Sequence, residues 1–470
     1  MKDNDEDGFS IDKDDFKDVL EKFKKKKTKA YDFLLKANED FQDAIYNLCK
    51  LFIDAEEFPL KFKLTVLHMT SKKKGSVEML NNNRFLHMKN YLARLCESLL
   101  VGQMKTQIFK QSTKYQIGGQ AGHSIDEHLF SLKSLIRLME LRGEGLYLTL
   151  VDIISFFDQE DILDGMETLD KMNINKKACR LWYKMNDETV IKIQTAMGMS
   201  NTAEVGAVLG QGSTGAAVIS QAMIDKGLKD YFAGSDNEMY YGKVRVESAA
   251  YQDDISKPSA DTISAQVGMT RLEDMLSQRG LRAHRDKTGY ILFGNPNPRM
   301  KKELEIMPLK FGEFEVKQKE QDKYLGQILH QEGLTKSVEA TIKERSRKIK
   351  GAIYLTKQVV ETIEMQTMGS LMAAKQLWEQ AIVPSLLSGA GTWVDISPES
   401  EALCEDLQEE FWRVMMQVSK SSPKVMLTAE TSSIRMKERI WQMKLLTARN
   451  IMRNKESLAY QIYREQVDMS

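Results

Sequence analysis

Four cysteines in 470 residues, Cys49, Cys96, Cys179 and Cys404, are too few and too scattered for a disulfide framework or a zinc-ligand pair. Six histidines stand apart from one another, which argues against a zinc site. The chain has no run of 18 or more apolar residues, so no membrane span is expected. Its start, "MKDNDEDGFSID", is acidic and polar, unlike a signal or transit peptide. No repeat and no low-complexity segment is present. An intracellular, reducing setting follows as the expectation, with nucleus and cytoplasm undistinguished. Net charge is also missing: 67 Lys and Arg balance 67 Asp and Glu. A zero sum argues weakly against binding nucleic acid, whose partners are usually basic. Local patches decide such binding, however. "KFKKKKTK" (Lys22 to Lys29), "SKKKGS" (Lys72 to Lys74) and "KERSRKIK" (Lys343 to Lys350) are basic blocks. Each alone reads most simply as a solvated helix face.

What is present is an ordinary globular composition, 42% apolar and 29% charged. The length suits two to four domains or one multi-lobed body. Residues 12 to 57 show helical spacing in "DDFKDVLEKF" and "EDFQDAIYNLCKLFI". "FKLTVLHM" alternates like a strand, "KKKGS" is a basic turn, and "RFLHMKNYLARLCESLLVGQM" reads as helix. Ser124 is placed to cap the helix "IDEHLFSLKSLIRLMEL". The middle then alternates strands and helices, beginning with the apolar strand in "GLYLTLVDIISFF". "GKVRVESAAYQDDI" is expected to hold one strand before its aspartates, and "SKPSAD" to turn away from them. Beyond about residue 335 the pattern is nearly all helical, with a break at Pro384 and a boundary near Gly333.

Three features carry chemistry. Asp253 and Asp254 stand side by side behind the apolar Ala249, Ala250 and Tyr251. An Asp-Asp pair is usually a surface turn. Charge at the end of a buried strand, however, is costly unless it is paired or bound to a metal. Asp152 repeats the arrangement at the end of "LYLTLV". Two strands that each end in carboxylate can converge on two divalent cations about 4 Å apart. The third feature is "GAVLGQGSTGAA", with Gly206, Gly210, Gly212 and Gly215 ahead of a helix. Such a helix start can approach phosphate, although close packing of helix on sheet is the plainer reading. A fourth stretch, "DNDEDGFSIDKD", imitates a calcium loop through Asp3, Asp5, Asp7, Gly8 and Asp14. It lacks the usual twelfth-position Glu and puts its apolar residue, Ile11, one place late.

The order of these parts resembles a reverse transcriptase, most closely the non-LTR (LINE-like) retrotransposon type. "VDIISFFD" looks like the first catalytic-aspartate motif, and "GQGSTGAA" like the glutamine-glycine motif. "YQDD" matches the Tyr-x-Asp-Asp box. "AHRDKTGYILFG" looks like the lysine motif, and "KYLGQIL" like the primer-grip motif. Finger-like blocks precede these and a thumb-like block, "IVPSLLSGAGTW", follows, so the likeness covers about residues 55 to 395.

The resemblance implies an α+β right-hand polymerase. Its parts are a helical lead-in (1–54), fingers (55–145), a palm with an antiparallel sheet and part of the fingers interleaved (146–333), and a helical thumb with C-terminal extension (334–470). It implies an RNA-directed DNA polymerase acting on RNA template, DNA primer and dNTPs, with two Mg²⁺ ions for which Mn²⁺ can substitute. Asp152, Asp253 and Asp254 would bind metal, Asp254 less directly, while Asp158 takes a structural role. Lys287 would be the general acid toward pyrophosphate. Lys73, Arg84, Phe157 and Gln211 would bind the nucleotide, with Phe157 packed under the sugar as a gate. Tyr324, Leu325 and Gly326 would place the primer. Departures are "STGAA" where a Ser-Pro pair is usual, and Gln252 where a small residue is common. No endonuclease pattern or Cys/His knuckle is seen. Two other readings remain: an inactive nucleic-acid-binding relic of such a polymerase, and a different two-metal palm enzyme such as a nucleotide cyclase.

Overall fold

The computed structural model describes all residues except 1–8, 26–30, 73–75, 77, 80–81, 121, 196–197, 206–208, 211, 233–238, 296–297, 363–367 and 470. They form two compact units. One comprises residues 1–120, 152–233 and 271–284; the other comprises 121–151, 234–270 and 285–470. Helices and strands interleave as α+β. No described helix is long and apolar enough to cross a membrane.

The first unit carries a five-stranded sheet. Its order is Asn83–Lys89, Leu64–Ser71, Thr189–Thr195, Gly198–Met199, with Ala203–Val205 also on Thr189–Thr195. The stretch read as helix from Arg84 is therefore a strand at first. It pairs antiparallel with Leu64–Ser71 from Thr65–Lys89 to Ser71–Asn83. The helix starts only at Tyr91, where the Asn90 carboxamide accepts from the Ala93 amide at 2.8 Å. An apolar-rich window suits either element, and here a partner strand and a cap divide it. Helix Tyr91–Gln111 buries residues around most of its circumference, among them Leu95, Leu99, Leu100 and Met104, and joins the main core of this unit. A helix apolar on several faces is a central one.

The second unit holds the sheet that matters most. Its order is Lys317–Gln318, Gly289–Phe293, Leu146–Val151, Asp254–Ser259, Ala249–Tyr251. All pairs are antiparallel except the short one between Gly289–Phe293 and Lys317–Gln318. Leu146–Val151 and Gly289–Phe293 are buried at every residue. This explains their continuous apolar runs, since both faces are covered.

Two expectations near the aspartates change. The residues before them form two short strands, Val244–Val246 and Ala249–Tyr251, not one. "SKPSAD" does not turn away either: Asp254–Ser259 continues as strand through Pro258. Ala249–Tyr251 reaches only as far as Ser256, so Pro258 sits where the strand has a neighbour on one side, and proline is tolerated there.

The helical remainder of this unit packs Trp378, Trp393, Phe411 and Trp412 into its own core beside helix Leu334–Thr362. Ahead of Pro384 the helix opens into a π-helical turn, Trp378–Ile382, before continuing as Val383–Leu387. Such a turn accommodates the missing proline N–H.

Candidate functional site

The ladder between Leu146–Val151 and Asp254–Ser259 ends on the pair Val151–Ile255. The next residue along the chain is Asp152 on one side, and the preceding residue is Asp254 on the other. Asp253 lies in the tight turn before Asp254. Tyr251 pairs with Asp254, leaving Gln252 and Asp253 as a two-residue loop. Gln252 has φ 61° while Asp253 is not left-handed, so positive φ falls on the first loop residue alone. That pattern suits a type II′ turn, for which glycine is the relaxed choice. Glutamine there stores strain at the tip of the hairpin. The backbone beyond Asp152 is also held, because its carbonyl accepts from the His284 amide at 2.7 Å and Ile153 bridges Ala283.

All three carboxylates are half-buried oxygen donors, the type that hard divalent cations prefer. They fit such ions in donor chemistry. Among the described residues, no three His, Cys, Asp or Glu side chains are gathered closely enough to hold an ion.

A second hairpin reaches the same main chain. Strands Gln321–Tyr324 and Gln327–His330 are joined by Leu325 (φ 46°) and Gly326 (φ 79°), a two-residue turn left-handed at both positions. Tyr324 is 3% exposed. Its hydroxyl donates to the main-chain carbonyl of Asp254 at 3.3 Å and lies 2.8 Å from His128 Nε2. Burial pushes the phenol above its ordinary range and the His128 imidazole down to about 4. His128 is then neutral at pH 7. A carbonyl can only accept, so the phenol donates to it and His128 Nε2–H donates to the phenol. Nothing in the local sequence around His128 announced this contact, which joins residues 196 apart.

Lys287 is exposed in the turn before Gly289–Phe293, and its carbonyl accepts from the Lys319 ammonium. In the first unit, Phe157 is half-buried in the single-turn helix Phe156–Gln159. It meets Phe156 edge-on at 5.2 Å and packs against the helical core. Arg84 is exposed on its strand opposite Thr70. Lys73 and Gln211 lie outside the described residues, as do Asp3, Asp5, Asp7 and Gly8 of the calcium-like stretch. Asp12 in that stretch instead accepts from the amides of Asp14 and Asp15, at 2.9 and 2.8 Å, at the start of helix Lys13–Lys25.

Gly210, and Gly215 in the first turn of helix Thr214–Phe232, serve close packing. A Cβ on Gly210 would come within 2.5 Å of the His87 ring, and one on Gly215 within 2.1 Å of the Trp182 indole. Burial, with help from the nearby Lys89 charge, pushes His87 down to about 4. The helix start is already occupied. The buried Glu97 carboxylate accepts from the Gly215 amide at 3.3 Å and from the Ser213 hydroxyl. The reading of this helix end as a phosphate cradle gives way to an internal carboxylate.

Residues 71–329 match the family described as Reverse transcriptase (RNA-dependent DNA polymerase), a span that includes every metal, nucleotide and primer candidate from Lys73 to Gly326. No curated protein matches the sequence. Among solved structures, the chain is similar to telomerase from Candida albicans in complex with a TWJ fragment of telomeric RNA (TM-score 0.44, 11% identity, 83% of this chain and 68% of that one). It is also similar to apo telomerase from Candida tropicalis (TM-score 0.44, 9% identity, 90% of this chain and 68% of that one). For the Candida tropicalis telomerase in complex with a TWJ fragment of telomeric RNA the values are 0.38, 10%, 79% and 64%. The chain thus spans between 64% and 68% of the length of these three solved structures.

Proposed function

Because the chain belongs to the reverse transcriptase (RNA-dependent DNA polymerase) family, and so has an α+β right-hand polymerase architecture, we propose that it extends a DNA primer on an RNA template with dNTPs. We place its origin in a retrotransposon of the non-LTR type. The motif order supports that placement. The observation that carries the catalytic reading is the Val151–Ile255 pair, whose ladder runs directly into Asp152 on one side and Asp254 on the other.

In this reading Asp152, Asp253 and Asp254 hold two divalent cations, Mg²⁺ with Mn²⁺ as substitute. Bound there, the ions would favour the ionised primer 3′-oxygen and offset charge on departing pyrophosphate. The chain's own residues do the rest. Lys287, exposed beside the strand Gly289–Phe293, supplies a proton to the leaving group. Arg84 and Lys73 hold the triphosphate, Arg by paired N–H donors and Lys as a point charge. Phe157 and Gln211 contact the nucleotide, and Tyr324, Leu325 and Gly326 place the primer. Residues 1–54 are then a helical lead-in, 55–145 fingers, 146–333 palm with part of the fingers interleaved, and 334–470 thumb with its extension. An intracellular, reducing setting suits the four buried free cysteines.

Primer extension on an RNA template, wild type beside Asp253→Ala, tests the proposal. Extension by the wild type alone is expected. Equal extension by both would remove the catalytic assignment. Hybrid binding without extension by either would favour the inactive relic.

A further inference from the structure

Tyr324 and Gln327 form the last pair before the Leu325–Gly326 turn. Helix Ile125–Arg142 places one buried polar side chain on each of them. His128, 5% exposed, meets the Tyr324 hydroxyl at 2.8 Å. Lys133, 3% exposed, donates to the Gln327 carboxamide oxygen and to the Thr392 hydroxyl at 3.0 Å. Gln327 in turn donates to the Gly389 carbonyl at 3.0 Å. From the other side, Arg345 of helix Leu334–Thr362 donates to the carbonyls of Gly326 (2.8 Å), Leu386 (2.8 Å) and Ser388 (2.7 Å).

This is a costly way to fill space. A buried lysine whose hydrogen-bond partners are an amide oxygen and a hydroxyl loses hydration that apolar packing would not forfeit. A histidine kept neutral by burial adds one directed N–H. What these groups provide is direction. Each fixes one residue of the turn's closing pair, and Tyr324 passes the restraint to the Asp254 carbonyl. A fully satisfied buried network holds one arrangement of main chain where an apolar core would allow several.

We propose that His128 and Lys133 are positioning residues. They lock the 324–327 turn and, through the Tyr324 hydroxyl, keep it in register with the hairpin that carries Asp253 and Asp254. The inference rests on the reading of those hairpins as primer-placing and catalytic.

The test uses the full chain as wild type, His128→Leu, His128→Gln and Lys133→Met, with Tyr324→Phe as a second route that keeps the ring and removes only the hydroxyl. Amide hydrogen exchange is followed in residues 321–330 and 249–259, and single-nucleotide incorporation in parallel. His128→Leu and Tyr324→Phe are expected to speed exchange in both segments, and Lys133→Met chiefly in 321–330. His128→Gln, which keeps an N–H, is expected to restore protection. Incorporation is expected to fall about tenfold to a hundredfold in His128→Leu with the KM for dNTP unchanged, as for a misplaced reacting group. Unchanged exchange at 249–259 in both His128→Leu and Tyr324→Phe overturns the coupling. So does equal behaviour of His128→Leu and His128→Gln. If His128→Leu does not fold, Tyr324→Phe alone decides. If the wild type extends no primer, the polymerase reading fails, and the exchange data still decide whether the two hairpins are coupled.

Discussion

The Trp182 indole N–H donates to a carboxylate oxygen of Glu97 at 3.2 Å. The same oxygen takes the Ser213 hydroxyl and the Gly215 amide, and Lys89 lies 3.7 Å from the other oxygen. One carboxylate, 1% exposed, thereby joins four segments of the first unit. It also sits at a helix N-terminus, where negative charge is favoured.

Glu97→Ala should therefore destabilise strongly, by roughly 3–5 kcal/mol, because it leaves the Lys89 ammonium buried without its carboxylate. Urea unfolding followed by circular dichroism measures this. A change below about 1 kcal/mol would mean the network relaxes onto water or other partners.

Gln252 occupies a left-handed position, which costs an L-residue about 1–2 kcal/mol. Gln252→Gly should raise stability modestly, by up to about 1 kcal/mol after glycine's own entropy cost. Gln252→Val should lower it, since a β-branched side chain tolerates positive φ worst. Thermal melts of the three proteins rank the effect. Identical melting temperatures would show that the turn relaxes freely.

Phe157→Val tests the sugar gate. Removing the ring should lower the preference for dNTP over rNTP by about tenfold or more, the scale of a steric contact in a pocket. The ring also packs on the helical core, so a stability loss of about 1–3 kcal/mol should accompany the change. Competition between dCTP and CTP in primer extension reads the preference. A preference equal to wild type rejects the gate while leaving the packing role.

Lys133 predicts a pH dependence. Burial pushes its ammonium down from 10.5 to about 7, with Asp126 opposing the shift and Arg345 adding to it. Between those values the unfolded chain holds a proton that the folded chain has released. Stability from this group therefore rises as pH climbs from about 7 toward 10. Lys133→Met removes the titration, so the stability of wild type relative to variant should grow over that window, on the order of a few kcal/mol. Denaturation at pH 7 and pH 9.5 compares them. A constant difference would place the folded lysine near its ordinary value.

Local pattern alone was enough for the buried strand Leu146–Val151, its trailing Asp152 and the helical run after Gly333. Apolar period and turn chemistry act over a few residues, and long-range contacts reinforce them here. The order of the motifs was likewise readable without coordinates, because order is a property of the chain. Elsewhere the tertiary structure decided. Arg84 to Met88 became strand because Leu64–Ser71 offered a partner. Ser256 to Ser259 stayed extended because Leu146–Val151 continued beside them. Gly210 and Gly215 make room for His87 and Trp182 instead of phosphate, since Glu97, more than a hundred residues away in the chain from Ser213, already fills the helix end. No local pattern sets His128 and Lys133 apart within their helix. Their roles exist only because folding brings Tyr324 and Gln327 against that helix. A side chain's type is written in the sequence, but its partner and its hydration are set by burial, and burial is settled by contacts across the whole fold.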